Sequence, residues 1–202
     1  MAEDFLIAID TNILLILSKK QDERRIHVEK ILQYVYNTSN GNIFIVVPHL
    51  VLLEYIETLI RWSTSEYLIK EGGYRFGEII GQKGKEIRIK KGLPDSVIET
   101  TLEPIYELCA NPEVKLLKNS PDWKFACSLV KMGLEARDAV ILSQIAISPV
   151  TDEKGCDLFV TTDREILALA GKNNLLKKTK IKRVSTPKGA VSVLEDCFGV
   201  LK

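Results

Sequence analysis

This chain has few histidines, and its cysteines are not spaced as they are in metal-binding motifs. The two histidines, His27 and His49, fall on a charged helical face and at a predicted helix start, so we do not expect a catalytic pair. No two of the four cysteines are two to four residues apart, which excludes a zinc-ribbon site. We predict instead that the cysteines are small core residues in a reducing compartment.

Long apolar runs and nucleotide-binding glycine motifs are also missing. No apolar run reaches about 18 residues, the length that a membrane span requires. The first residues, MAEDF, are acidic and lack the basic segment of a signal peptide. The stretch GQKGKE lacks the spacing of a phosphate-binding loop, and no G-x-G-x-x-G occurs. We therefore expect a cytoplasmic protein that does not enter a membrane.

The composition is typical of one globular domain. The 202 residues are 46% hydrophobic, enough to bury a core, and the formal net charge is only +1. The charge is unevenly distributed, because residues 61–91 contain eight Lys or Arg against four Glu, while residues 171–188 contain seven against none. This distribution predicts an acidic site beside basic flanks.

Short apolar segments alternate with segments of helical periodicity. Strands are predicted at FLIAI (5–9), IFIVV (43–47), VKLL (114–117), DLFVTTD (157–163) and residues 181–184. Helical segments separate these strands, and Gly72-Gly73 is expected to end the one that begins at His49. Strands that alternate with helices favour an α/β fold with a central parallel sheet and helices on its faces.

Four acidic residues lie inside or at the end of apolar elements. Asp10 ends the first strand, and Asp163 ends FVTTD. Glu54 lies in the apolar helix HLVLLEYIE, and Asp138 lies near the start of ARDAVILSQIA. Taken singly, each acid has a structural explanation, such as a helix cap or a hydrogen-bonded buried carboxylate.

Convergence of these acids would imply a metal. In parallel α/β sheets the ligand site lies outside the carboxyl ends of the strands, where Asp10 and Asp163 fall. Carboxylates that crowd there do not all stay ionised without a cation. A hard divalent ion, Mg²⁺ or Mn²⁺, prefers such oxygen ligands. Bound ions of this kind activate water for phosphoryl displacement.

Four blocks of the sequence resemble the PIN-domain nucleases. In chain order they are IAIDTNIL, VVPHLVLLEYIETL, GLEARDAVILSQIA and DLFVTTDREIL, each with one of the four acids. The tail IKRVSTPKGAVSVL is similar to the last strand of that family followed by Thr-Pro. The blocks cover most of the chain outside roughly 62–115, a segment longer than in the compact toxin members.

The resemblance implies a fold and a set of site residues. The fold is a three-layer α/β/α domain over residues 1–202, with a central mostly parallel sheet and a mostly helical insertion near 62–115. The residues that bind the metal and act in catalysis are Asp10, Glu54, Asp138 and Asp163. The residues that orient carboxylates or waters are Asn12 and either Thr161 or Thr162.

The resemblance also implies an activity and partners. The activity is endonucleolytic hydrolysis of RNA phosphodiester bonds with Mg²⁺ or Mn²⁺ and a water nucleophile. Many relatives are toxins of toxin–antitoxin pairs and others process ribosomal RNA, so a protein antitoxin, an RNA-processing partner and a homodimer are expectations. The candidates for phosphate contact, which could instead be solvated surface residues, are Arg137, Lys83, Lys85, Arg88, Lys90 and Lys91.

Two other functions compete with this hypothesis. A non-catalytic RNA- or protein-binding module on the same scaffold is one, although such a module is expected to lose some of the four acids. A phosphatase of the haloacid dehalogenase type is the other. That class needs a second aspartate two residues after the nucleophile, and the corresponding position here is Asn12.

Overall fold

The computed structural model describes residues 4–37, 42–79, 95–117, 120–147, 155–171, 179 and 181–201. Its strands are β1 (Phe5–Ile9), β2 (Ile43–Pro48), β3 (Val114–Leu117), β4 (Leu158–Val160) and β5 (Arg183–Ser185). Its helices are α1 (Thr11–Ser18), α2 (Arg25–Tyr36), α3 (His49–Lys70), α4 (Phe76–Ile79), α5 (Asp95–Ala110), α6 (Trp123–Lys131), α7 (Ala136–Ile147), α8 (Arg164–Gly171) and α9 (Pro187–Phe198).

The strands form one parallel sheet in the order β3-β2-β1-β4-β5. The central strand β1 pairs with both neighbours, so that Ile7 lies opposite Ile45 on one side and Leu158 on the other. The three residues are almost completely buried. Apolar strands without polar alternation are what a sheet covered on both faces requires, which confirms the predicted α/β class.

The strand order reverses beside β1. The chain runs outward from β1 to β2 and β3, and then returns to β4 on the other side of β1. Because crossover connections are right-handed, this reversal places the connections of the two halves of the sheet on opposite faces, consistent with a three-layer arrangement. It also makes the carboxyl ends of β1 and β4 the topological switch point of the sheet.

The helices begin where the sequence supplies caps. Asp122 accepts a hydrogen bond from the backbone N–H of Phe125 at 2.9 Å and caps α6. Thr186 caps α9, which has Pro187 at its first position, where the missing N–H costs nothing. Between α6 and α7, Gly133 takes a φ of +103°, a backbone conformation that side chains disfavour.

The C-terminal helix α9 packs on α2. The Tyr34 hydroxyl donates to the carbonyl of Gly199 at 2.7 Å, and Lys30 pairs with Glu195 at 2.6 Å. The ring of Phe5 meets that of Phe198 edge to face, with 5.2 Å between centroids. These contacts fix the last helix on the layer formed by the first part of the chain.

The chain divides into two compact units. The first comprises Met1–Leu52 and Pro112–Lys202 and contains the sheet, while the second comprises Leu53–Asn111. In the second unit the Thr101 hydroxyl donates to that of Ser63 at 2.9 Å, which links α5 to α3. The described elements that fall wholly within this unit, α4 and α5, are helical. The expected insertion at 62–115 stays a prediction about domain organisation.

One prediction about the core was wrong. Only Cys156 is buried among the cysteines, whereas Cys109, Cys127 and Cys197 are exposed on helices. A small side chain is tolerated on an outer helical face as readily as in a core, so its size did not distinguish the two. In the part of the chain that the structure describes, no helix combines the length and apolarity needed to cross a membrane.

Candidate functional site

Asp10 lies at the carboxyl end of β1, at the switch point of the sheet. Its side chain is 3% exposed, and its Oδ1 accepts a hydrogen bond at 2.7 Å from the backbone N–H of Thr11, the first residue of α1. The backbone N–H of Asp10 donates to the carbonyl of Val160 at 3.1 Å. The end of β1 is therefore bonded directly to the end of β4.

Thr161 connects two of the predicted acids. Its hydroxyl donates to Oδ2 of Asp10 at 2.7 Å and accepts from the backbone N–H of Asp163 at 3.0 Å. The threonine is fully buried, so both hydrogen bonds are shielded from water. Thr162 is half-buried and makes no such bond with described residues. Of the two predicted threonines, Thr161 is the one with contacts to the acids.

Asp163 caps helix α8 at the same edge. Its Oδ1 accepts from the backbone N–H groups of Glu165 and Ile166 at 2.7 and 3.0 Å. These bonds hold one carboxylate oxygen in place, as at other helix N-termini. Within the described residues, Oδ2 takes part in no hydrogen bond, which leaves it available to a ligand.

Asn12 also contacts Asp10. Its Nδ2 lies 3.4 Å from Oδ2 of Asp10, a long hydrogen bond, and its side chain is exposed at the start of α1. Thr161 and Asn12 thus approach the same carboxylate oxygen from different elements. This arrangement fits the predicted role of Asn12 in orienting a carboxylate or a water, a role that stays a prediction.

The other two predicted acids lie on helices. Asp138 is half-buried in the first turn of α7, directly after the exposed Arg137. Glu54 is half-buried on α3, in the portion of that helix that belongs to the second unit. The first unit by itself therefore carries three of the four predicted acids.

The donor set suits a hard divalent ion only in part. Carboxylate oxygens at a strand end are the ligands that Mg²⁺ and Mn²⁺ prefer, and Mg²⁺ commonly keeps several waters while it binds one or two carboxylates. Asp10 and Asp163 supply such oxygens around one threonine. No group of three or more His, Cys, Asp or Glu side chains among the described residues is arranged to hold a metal ion.

The remaining predicted phosphate contacts lie outside the described residues. They are Lys83, Lys85, Arg88, Lys90 and Lys91. Arg137 is described and exposed.

A second buried aspartate lies at the opposite edge of the sheet, where β1 and β4 begin. Asp157 precedes β4 and is 5% exposed. Its Oδ2 accepts from the backbone N–H of Leu6 at 2.8 Å, and its Oδ1 pairs with Lys182 at 2.8 Å. Beside this pair is a cavity of about 300 Å³ lined by residues that include Arg183, Cys197 and Phe198. No sequence motif identifies the pair, because its members are 25 positions apart in the chain.

Next to Asp157, burial raises the pKa of the Cys156 thiol to about 12. The thiol donates to the carbonyl of Leu158 and accepts from the backbone N–H of Ala8. A thiol with so high a pKa is protonated at neutral pH and is not a nucleophile.

No protein-family model matches the chain, and no curated protein matches it.

Proposed function

We propose that this protein is a PIN-like, metal-dependent ribonuclease of the cytoplasm that hydrolyses RNA phosphodiester bonds. The observation that carries the proposal is the position of Asp10 and Asp163 at the switch point of a parallel sheet, joined through the buried Thr161. Ligand sites of such sheets lie at that point. The four sequence blocks that resemble PIN-domain nucleases supply the reaction class.

In this proposal the acids hold a Mg²⁺ or Mn²⁺ ion, which when bound supplies an activated water and charge stabilisation at phosphate oxygens. Asp10 and Asp163 are its ligands in the first unit, with Asp138 and Glu54 contributing as the resemblance implies. Thr161 fixes the rotamer of Asp10 through the 2.7 Å hydrogen bond to Oδ2. Thr11 fixes the other oxygen through its backbone N–H. The carboxylate is thereby oriented before any ligand arrives.

The test is a cleavage assay on mixed RNA and DNA substrates with Mn²⁺, with and without EDTA. Wild-type protein is expected to cut RNA, and EDTA is expected to abolish cleavage. Asp10→Asn keeps an acceptor for Thr11 but removes the charge, so cleavage should fall by more than about 100-fold, since even residues around metal ligands cost 10–100-fold.

Asp157→Asn is the matched control, because it makes the same change at a buried aspartate of the opposite edge. This variant should retain cleavage as long as it is folded under the assay conditions. Unchanged cleavage by purified Asp10→Asn protein, or equal losses in both variants, would contradict the proposal. Calorimetric titration with Mn²⁺ separates it from a non-catalytic binding module, which should show no divalent site that depends on Glu54 and Asp138.

A further inference from the structure

The cavity at the amino edge of the sheet lies entirely within the first unit and has a volume of about 300 Å³. It is bordered by the start of β1, the start of β5 and one face of α9. Small-molecule sites in proteins are concave spaces of about 300 Å³ or more, with mostly apolar walls and a few placed polar groups. The cavity therefore has the volume for a small ligand, and its lining determines the chemistry of that ligand.

One wall of this cavity is apolar. The half-buried rings of Phe5 and Phe198 meet edge to face, with 5.2 Å between their centroids. Val193 is also half-buried and extends the wall along α9. Residues four positions apart share a face of a helix, so the exposed Cys197 lines the cavity one turn beyond Val193. An apolar group that covered these partly exposed rings would remove hydrocarbon surface from water.

The charged side chains of the lining leave one positive charge uncompensated. Asp157 pairs with Lys182 at 2.8 Å, and Asp4 lies 3.9 Å from Lys115. Arg183 is exposed and forms no salt bridge with any residue that the structure describes. Its guanidinium presents a planar fork of donors that matches a carboxylate. A singly charged ligand fits this lining better than a dianion, which the two aspartates would repel.

We propose that this cavity binds a small apolar monocarboxylate, with the carboxylate on Arg183 and the apolar body against Phe5, Phe198 and Val193. An inorganic anion would leave the aromatic wall in water, and a neutral hydrocarbon would leave the guanidinium without a partner. A ligand that carries both groups satisfies both parts of the lining. The site lies at the opposite edge of the sheet from Asp10, so this inference does not depend on ribonuclease activity.

The test uses the thiol of Cys197 as its readout, because this exposed thiol lines the cavity. Alkylation of the native protein by iodoacetamide, resolved by peptide mass spectrometry, gives a separate rate for each exposed cysteine. The probe is 3-phenylpropanoate at constant ionic strength. If a ligand of this size binds with a Kd of about 1 mM, a concentration of about 10 mM should slow the alkylation of Cys197 by about 10-fold. Cys109 and Cys127 are exposed elsewhere, and their rates should not change.

Two other compounds and two variants separate the contributions of charge and apolar surface. The amide of 3-phenylpropanoate keeps the apolar body without the charge, and acetate keeps the charge without the body, so each should protect Cys197 far less. Arg183→Ala should reduce the protection by 3-phenylpropanoate to that given by the amide. The matched control is Arg164→Ala, which removes an exposed arginine at the first position of α8, beyond the carboxyl end of β4, and should leave the protection unchanged.

The inference would be overturned by unchanged alkylation of Cys197 in the presence of 3-phenylpropanoate, or by equal slowing at all three exposed cysteines. Equal protection by 3-phenylpropanoate and its amide would also overturn it, as would protection that persists in full in Arg183→Ala.

Discussion

The two edges of the sheet each bury one aspartate, and the two residues are held differently. At the amino edge, where β1 and β4 begin, Asp157 pairs with Lys182 and accepts a hydrogen bond from the backbone N–H of Leu6. At the carboxyl edge, Asp10 accepts from a backbone N–H, the hydroxyl of Thr161 and the amide of Asn12. The amino-edge carboxylate closes a contact between strand ends, whereas the carboxyl-edge group is oriented by neighbours at the end of the sheet where parallel α/β folds in general bind ligands.

This difference shows that burial of an acid alone does not identify a site. Asp10 and Asp157 are 3% and 5% exposed, so their burial is the same. What separates them is the edge on which they lie and the chemistry of their partners. The charge of a carboxylate that is paired with a lysine is already compensated. We therefore infer that Asp157 stabilises the fold. Three experiments test this assignment, from the largest expected effect to the smallest.

The largest effect on stability is expected at the amino edge. Asp157→Ala removes the acceptor of a buried backbone N–H and the partner of Lys182, so the free energy of unfolding should fall by about 2 kcal/mol. Urea denaturation followed by circular dichroism measures the change.

Asp10→Asn is the companion variant for that measurement. Its free energy of unfolding should fall by less than half as much, because the amide oxygen still accepts a hydrogen bond from the N–H of Thr11. A stability loss at Asp10→Asn equal to that at Asp157→Ala would mean that the two aspartates have the same structural role.

A smaller effect is expected from the threonine that links the acids of the carboxyl edge. Thr161→Val keeps the shape of the side chain but removes the hydroxyl that orients Asp10, so Mn²⁺ affinity should fall by about 10–100-fold, as for other groups that orient metal ligands. Calorimetric titration gives the affinity. Thr162→Val is the control and should change Mn²⁺ affinity little; an equal loss in both variants would refute the distinction between the two threonines.

The smallest effect concerns thiols at the amino edge and on the surface. Three cysteines are exposed and should react with a thiol reagent at pH 8 in the native protein, while the buried Cys156 should react only after unfolding. Because the folded pKa of Cys156 is raised from 9.0 to about 12, the unfolded state loses this proton first as the pH rises.

Stability should therefore fall as the pH rises from about 9 to 12. Cys156→Ala should flatten the pH dependence in that window. Reaction of all four thiols in the native protein would contradict the burial of Cys156.

Much of the sheet was predictable because strand and helix periods are local. FLIAI became β1, VKLL became β3, and the helix expected from His49 ends at Lys70, before Gly72-Gly73. The strand expected over 157–163 is only three residues long, β4, and directly after it the hydroxyl of Thr161 bonds to Asp10 and to the backbone N–H of Asp163. Side-chain hydrogen bonds of this kind compete with strand geometry, and periodicity does not show them.

The α/β class and the placement of Asp10 and Asp163 at strand ends could be predicted from the sequence, because both follow from local patterns and from the rule for parallel sheets. Tertiary structure alone decided that Thr161 rather than Thr162 contacts Asp10, and that Asp157 pairs with Lys182. These contacts join residues 151 and 25 positions apart in the chain, so they exist only after the strands have assembled in their final order.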